Sequence, residues 1–208
     1  MTVKRQNLLI ILFTGVLAFL FGMWFQGNIG LKKVALKPET ATVFDQPRRI
    51  TPFNLQDDKG QPFTIDNLKG RWSLIFFGFT NCPDLCPTTL SILNQAYQIL
   101  ATHHQNPMPQ IIFVSVDPER DSAERIETYL KGFNAHFLGA TGSKAEIDKL
   151  TQELSVLYAK VIQEDHYMID HSGTIIVTNP EGQFYGVFTL PHEADAIAKD
   201  MEIIGKPQ

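Results

Sequence analysis

The chain has 208 residues, 44% hydrophobic and 11% aromatic, with a net charge of −4. That length supports one core-bearing domain plus a short accessory segment, and two cysteines are too few for a disulfide-stapled scaffold. The sequence carries no long basic stripe with interleaved aromatics, which argues against nucleic-acid binding, and its acid excess favours an electropositive partner.

Leu8 to Phe25 carries no charge, and residues 1–26 read as a membrane anchor. At about 1.5 Å per residue the apolar run reaches roughly 27 Å, close to a hydrocarbon core of about 30 Å. It is longer than a signal-peptide core, no clean cleavage pattern follows it, and Trp24 stands where an interfacial aromatic belongs. Lys4 and Arg5 precede it; Lys32, Lys33 and Lys37 follow it. These flanks do not favour an inside amino terminus, but long domains cross largely regardless of such counts. The large domain is therefore expected outside the cytoplasm. Residues 27–49 lack hydrophobic periodicity and read as a linker, leaving 50–208 as the folded domain.

Phe53 to Ile65, interrupted by Asp57-Asp58-Lys59-Gly60, reads as a β-hairpin. Trp72 to Phe79 is apolar on both faces and suits a central strand. A helix is expected from Pro87 to His103, with Pro87 at its first position. Ile111 to Val116 is a second buried strand. Asp121 with Glu124 predicts a capped helix to Gly132, and Ser143 with Glu146 predicts another to Leu154. Short strands are expected at 136–140 and 158–163. Thr174 to Thr178 and Gln183 to Phe188 flank the turn Asn179-Pro180-Glu181-Gly182, and a last helix spans His192 to Ile204. The alternation gives an α/β fold around a mixed sheet flanked by helices.

The only two cysteines stand together in Cys82-Pro83-Asp84-Leu85-Cys86-Pro87, at a strand-to-helix turn. Residues four apart at a helix start face the same way. Two such cysteines lie within the Cα range of a disulfide, and they also suit gripping one metal ion. Helix N–H groups favour the thiolate in either case. Two soft thiolates leave a metal under-ligated, and a neutral imidazole would complete a trigonal site suited to Cu(I). Of six histidines, His171 is the preferred candidate, in Tyr167-Met168-Ile169-Asp170-His171-Ser172-Gly173, which reads as a loop that could face the cysteine turn, before an apolar strand. Its bland alternative is a surface or capping histidine. Asp170 is a candidate to orient the ring. His166 is a weaker alternative ligand; His103 and His104 read as surface, His136 and His192 as structural or solvated. Asp117, in the loop Asp117-Pro118-Glu119-Arg120-Asp121, is a candidate to tune the site or dock a partner, against the simpler reading of a strand-to-helix loop. Asp84 reads as a solvated turn residue, and Phe76, Phe77 and Phe79 as core or pocket wall.

The cysteine motif, Val114-Ser115-Val116-Asp117-Pro118-Glu119-Arg120-Asp121 and Tyr167-Met168-Ile169-Asp170-His171-Ser172 occur in the order and context of the Sco/SenC family, which the chain resembles from Phe44 to Ile204. The resemblance implies a thioredoxin-like domain tethered to a membrane by one N-terminal helix. It implies copper, as Cu(I) or also Cu(II), held by Cys82, Cys86 and His171. It implies a part in building the dinuclear copper site of cytochrome c oxidase, by delivering copper, reducing that site's cysteines, or both. The partners expected are the copper-bearing oxidase subunit, other copper chaperones and thioredoxin-like reductants. With no Arg- and Ser-rich transit segment, the expected place is a bacterial inner membrane, with the domain facing the periplasm. Asn81 departs from the family, where many members have a histidine, and Asn134-Ala135-His136 does not match the usual stretch before Phe137.

The competing function is a thiol–disulfide oxidoreductase that needs Cys82 and Cys86 and no metal. A peroxidase-like activity lacks its threonine–cysteine–arginine constellation. A purely structural disulfide would close too small a loop to contribute much.

Overall fold

The computed structural model describes the backbone of residues 3–28, 37–163 and 166–205 and the side chains of residues 12–24, 37–162 and 167–205. The chain divides into two compact units, residues 1–36 and 37–208. In the first, helix α1 runs Val3–Asn28, and its described side chains, Leu12 to Trp24, are all exposed. Among the described residues no helix is long and apolar enough to cross a membrane; the expected transmembrane helix rests also on residues flanking Leu12 to Trp24, whose side chains lie outside the described ones.

The second unit begins with β1 (Thr42–Arg49), the hairpin β2 (Asn54–Asp57) and β3 (Pro62–Thr64), and a 3-10 turn at Ile65–Leu68. Next come β4 (Ser73–Gly78), α2 (Leu85–Thr102), β5 (Gln110–Ser115), α3 (Ala123–Lys131), β6 (Leu138–Thr141) and α4 (Lys144–Glu153). The chain closes with β7 (Tyr158–Gln163), β8 (His166–His171), β9 (Ile175–Thr178), β10 (Gln183–Phe188) and α5 (Ala194–Ile204). Among the described residues eight strands form one mixed sheet in the order β1-β10-β9-β4-β5-β6-β2-β3, while β7 and β8 pair only with each other. This is a thioredoxin-like α/β arrangement.

β4 lies in the interior of the sheet, parallel to β5 and antiparallel to β9. All six of its residues are buried, which is why the segment is apolar on both faces. Pairing runs in register from Ser73 opposite Gln110 to Gly78 opposite Ser115. The segments that follow β4 and β5 therefore leave the sheet side by side, at the carboxyl ends of parallel strands where α/β sheets place their sites. One is the cysteine turn and the other is the Asp117–Asp121 loop.

Three boundaries differ from expectation. Residues 42–49 are not linker: β1 pairs with β10 along a shifted register between Val43 and Arg48. Pro47 and the charges disguised it, yet both suit an edge strand. Its inner face is real, with Phe44 edge-on to Phe184 at 4.9 Å and the Arg48 guanidinium 4.6 Å from the Phe184 ring. Helix α2 starts at Leu85, so Pro87 is its third residue, and the Asp84 side chain does not cap it. Helix α3 is capped by Ser122, whose hydroxyl accepts from the Arg125 N–H, because Asp121 is buried and engaged elsewhere. Ser143 caps α4 as expected, accepting from the Glu146 N–H.

Candidate metal centre

Cys82 and Cys86 are both free thiols. Cys86 is the second residue of α2 and wholly buried; Cys82 sits in the preceding turn and is half-buried. The N–H of Cys86 points at Cys82 Sγ from 3.4 Å. This is the unpaired helix-start donor turned onto a sulfur. The Cys86 thiol donates to Cys82, and this bond, against the cost of burial, brings the Cys82 thiol down to about 3, with further help from the Cys86 N–H. The same bond and burial push the Cys86 thiol up. The pair therefore rests with a thiolate on the accessible sulfur and a proton on the buried one.

The third group arrives from far along the chain. His171 ends β8, and its Nε2 lies 3.3 Å from Cys86 Sγ. Its Nδ1 faces the Ser172 carbonyl at 3.1 Å. A proton on Nδ1 satisfies that carbonyl and leaves the Nε2 lone pair directed at the sulfurs, which is the tautomer a metal ligand needs. The ligand atoms of Cys82, Cys86 and His171 all lie within 4.8 Å of one another. Phe76 and Phe79 stand edge-on to the imidazole with centroids at 5.8 and 6.0 Å, so they are pocket wall as well as core. Gly78 leaves space for Cys86: a Cβ there would lie 2.7 Å from its sulfur and 2.8 Å from the Phe113 ring. Among the described residues this is the only group of three potential ligands placed to hold one ion. Two soft sulfurs and one imidazole suit Cu(I).

The two candidate supporting acids are placed differently from each other. Asp170 is exposed because it alternates with His171 along β8, and the Ser172 carbonyl meets the ring in its stead. Asp117 is buried and reaches no ligand atom directly. Its carboxylate accepts from the Arg120 Nε–H, and its other oxygen accepts from the Tyr167 hydroxyl at 2.8 Å. Arg120 also donates to the Tyr167 carbonyl at 3.1 Å, with its guanidinium 3.7 Å from the Tyr167 ring centroid. The ammonium of Lys160 lies at the same distance from that ring. Asp117 thus acts on the strand that carries His171, through a clasp on Tyr167.

Neighbouring Asp121 secures the cysteine turn. It is fully buried, accepting from the Thr80 N–H at 2.9 Å, the Thr80 hydroxyl at 2.6 Å and the Ser115 hydroxyl at 2.5 Å. Arg125 adds bonds to Thr80 and to the Asn81 carbonyl oxygen, at 2.8 and 2.6 Å, so Asn81 is occupied in fixing the turn. Asn134 bonds Asn94 across to α2 at 2.8 Å, and His136 stacks on Tyr97. His103 pairs with Glu202 on the surface. The His166 side chain lies outside the described residues.

Sequence reasoning missed Tyr167, Arg120, Gly78 and the Ser172 carbonyl as parts of the site. Glycine at the end of a fully buried strand is the one local signal for Gly78, since it marks a close approach. No residue-level signal announces a backbone carbonyl.

A sequence profile of the family described as SCO1/SenC matches residues 43–204. An SCO2-like protein of Rickettsia conorii is 38% identical over 152 residues, covering 72% of this chain and 71% of that protein. The chain is also similar to a crystal structure of Arabidopsis thaliana ScoI with copper bound, at 35% identity and a TM-score of 0.69 over 74% of this chain and 96% of that one. A structure of Bradyrhizobium japonicum ScoI with copper bound gives 35% identity and a TM-score of 0.67, over 74% and 98%.

Proposed function

The chain belongs to the SCO1/SenC family, and from that premise we propose that it is a copper-delivery protein whose cargo is held by Cys82, Cys86 and His171. The convergence of those three ligand atoms within 4.8 Å carries the reading, and the copper held by the Arabidopsis and Bradyrhizobium ScoI structures supports it. As cargo, Cu(I) would meet a site with one thiolate already formed, and binding would release the Cys86 proton. The acceptor proposed is the copper-bearing subunit of cytochrome c oxidase. The test is competition for Cu(I) between the reduced protein and a chromophoric chelator. His171→Ala is expected to weaken binding by more than the ~10–100-fold typical of changes behind a ligand. Unchanged affinity would remove the imidazole from the site.

A second activity is favoured by the charge state of the pair. The accessible Cys82 thiolate can attack a partner disulfide, forming a mixed disulfide and expelling one partner thiolate. Cys86 then attacks Cys82, closing the internal disulfide and releasing the second partner thiol, so two electrons pass from dithiol to partner. Cys86→Ser is expected to accumulate the mixed disulfide; turnover in that variant would refute the scheme.

We further propose that α1 anchors the protein in a bacterial inner membrane with the domain in the periplasm. Its 26 residues would extend about 39 Å, and the exposure of bulky groups such as Phe13, Phe19, Leu20 and Trp24 suits a lipid surround. A reporter fused to the C-terminus is expected to be active only when periplasmic; activity confined to the cytoplasm reverses the topology.

A further inference from the structure

The three consecutive peptide groups that follow His171 are each held by one hydrogen bond. The Ser172 N–H donates to the Leu157 carbonyl at 2.9 Å. The Ser172 carbonyl faces His171 Nδ1 at 3.1 Å. The next carbonyl, that of Gly173, faces Nε2 of His192 at 2.6 Å. Gly173 is itself buried, and a Cβ there would lie 2.7 Å from the Leu190 side chain. Leu190 and His192 both belong to the segment between β10 and α5, on a separate stretch of chain from the ligand strand.

His192 is suited to this contact in one protonation state. Burial lowers its tendency to take a second proton. A neutral ring has a single N–H, and the Gly173 carbonyl requires it on Nε2. That leaves Nδ1 bare, and Nδ1 is buried without a hydrogen-bond partner among the described residues. A bare lone pair is tolerable there, whereas an N–H would be buried with no acceptor. The tautomer is therefore fixed by the surroundings.

We propose that His192 is a positioning residue for the metal centre: by gripping the Gly173 carbonyl it anchors the Gly173–Thr174 peptide, the far support of the Ser172 carbonyl, and so holds that carbonyl against His171 Nδ1, which sets the tautomer and orientation of the ring. Glycine is the residue whose backbone swings most freely, and here it directly follows the carbonyl that His171 needs. Were the Gly173–Thr174 anchor lost, the backbone could drift and carry the Ser172 carbonyl away from Nδ1. The His171 proton would move to Nε2, and the ligand lone pair would turn away from the sulfurs. The grip of His192 opposes that drift from outside the ligand strand. Its functional meaning rests on the copper reading above; its structural part does not.

The experiment uses the full-length protein in detergent micelles, labelled with ¹⁵N-histidine, reduced and free of metal. Long-range ¹H–¹⁵N correlation reads the His171 tautomer directly. In the wild type, and in His192→Gln, which keeps an N–H donor, the proton is expected on Nδ1. In His192→Leu a mixture of tautomers is expected. Cu(I) competition on the same samples is expected to show about a tenfold loss for His192→Leu, and recovery by His192→Gln to within about threefold of wild type. If His192→Leu fails to fold, His192→Asn, whose shorter amide falls short of Gly173, is expected to give the same loss. A wild-type tautomer in the donor-less variant overturns the proposal, as does an equal loss of affinity in the Gln and Leu variants. A wild type that binds no Cu(I) but whose His171 tautomer still answers to His192 supports the positioning role and removes only the copper reading.

Discussion

At the scale of single residues, the site depends on small differences in space and charge around the sulfurs. Cys82 is half-buried and carries the thiolate, while Cys86 is wholly buried and keeps its proton. Iodoacetamide is therefore expected to alkylate Cys82 at least about tenfold faster than Cys86, since only the exposed thiolate reacts; peptide mapping by mass spectrometry checks this. Gly78→Ala would drive a methyl against Cys86 Sγ and the Phe113 ring. Overpacking of that kind costs about 1–3 kcal/mol, so a lower urea midpoint and weaker Cu(I) binding are expected together. The ligands themselves were legible in the sequence, because two thiols at a strand-to-helix turn have few other uses and His171 lies in a matching motif. The Ser172 carbonyl was not legible: every residue carries one, and only the path of the backbone aims it. Asp170 looked like the better partner because adjacency in sequence suggests contact, whereas a strand points neighbours in opposite directions.

Among the elements, the β7–β8 hairpin matters most, because it carries His171 yet has no partner strand in the main sheet. Tyr167 to His171 was expected as a loop. Its apolar content is modest, and the pairing that makes it a strand comes from β7, not from its own pattern. The Asp117–Arg120–Tyr167 clasp holds it to the body of the domain. Arg120→Ala is expected to speed amide exchange across β7 and β8 and to weaken Cu(I) binding, with little change in the global unfolding midpoint. Exchange that stays slow in the variant would dismiss the clasp. In α5, buried Asp200 performs the corresponding service for the start of the unit. Burial disfavours its charge, but the N–H groups of Glu39, Thr40 and Ala41 and the Thr40 hydroxyl, each at 2.7 Å, outweigh that and hold its carboxyl below the usual range. A depressed carboxyl contributes its full stability above the unfolded value of about 3.9 and loses it as pH falls through the lower folded value. Asp200→Asn is expected to cost about 2 kcal/mol near pH 7, and the gap between variant and wild type should close below about pH 4. Urea midpoints at the two pH values measure it.

For the molecule as a whole, the central strands, the helices and the closing hairpin were readable, because burial on both faces and helix caps leave strong local marks. The edge was not. β1 is short of apolar residues and contains Pro47, so it resembles a spacer until β10 supplies its partner. The difference has a measurable consequence. Residues 37–208 expressed alone are expected to unfold cooperatively, whereas a fragment of residues 50–208 lacks β1, exposes Phe184, and leaves Asp200 without its three backbone donors. Its urea midpoint is expected to drop sharply, or the fragment to aggregate through the uncovered β10 edge; equal midpoints would return residues 37–49 to the status of spacer. The distribution of the ligands over the fold has its own consequence. Both sulfurs belong to the junction of β4 and α2, while the nitrogen rides on a separate hairpin that is clasped to the domain through Tyr167. For the cargo ion proposed above such a site would be hemilabile, since withdrawal of the imidazole alone would keep both sulfurs in place and open one position to an incoming ligand.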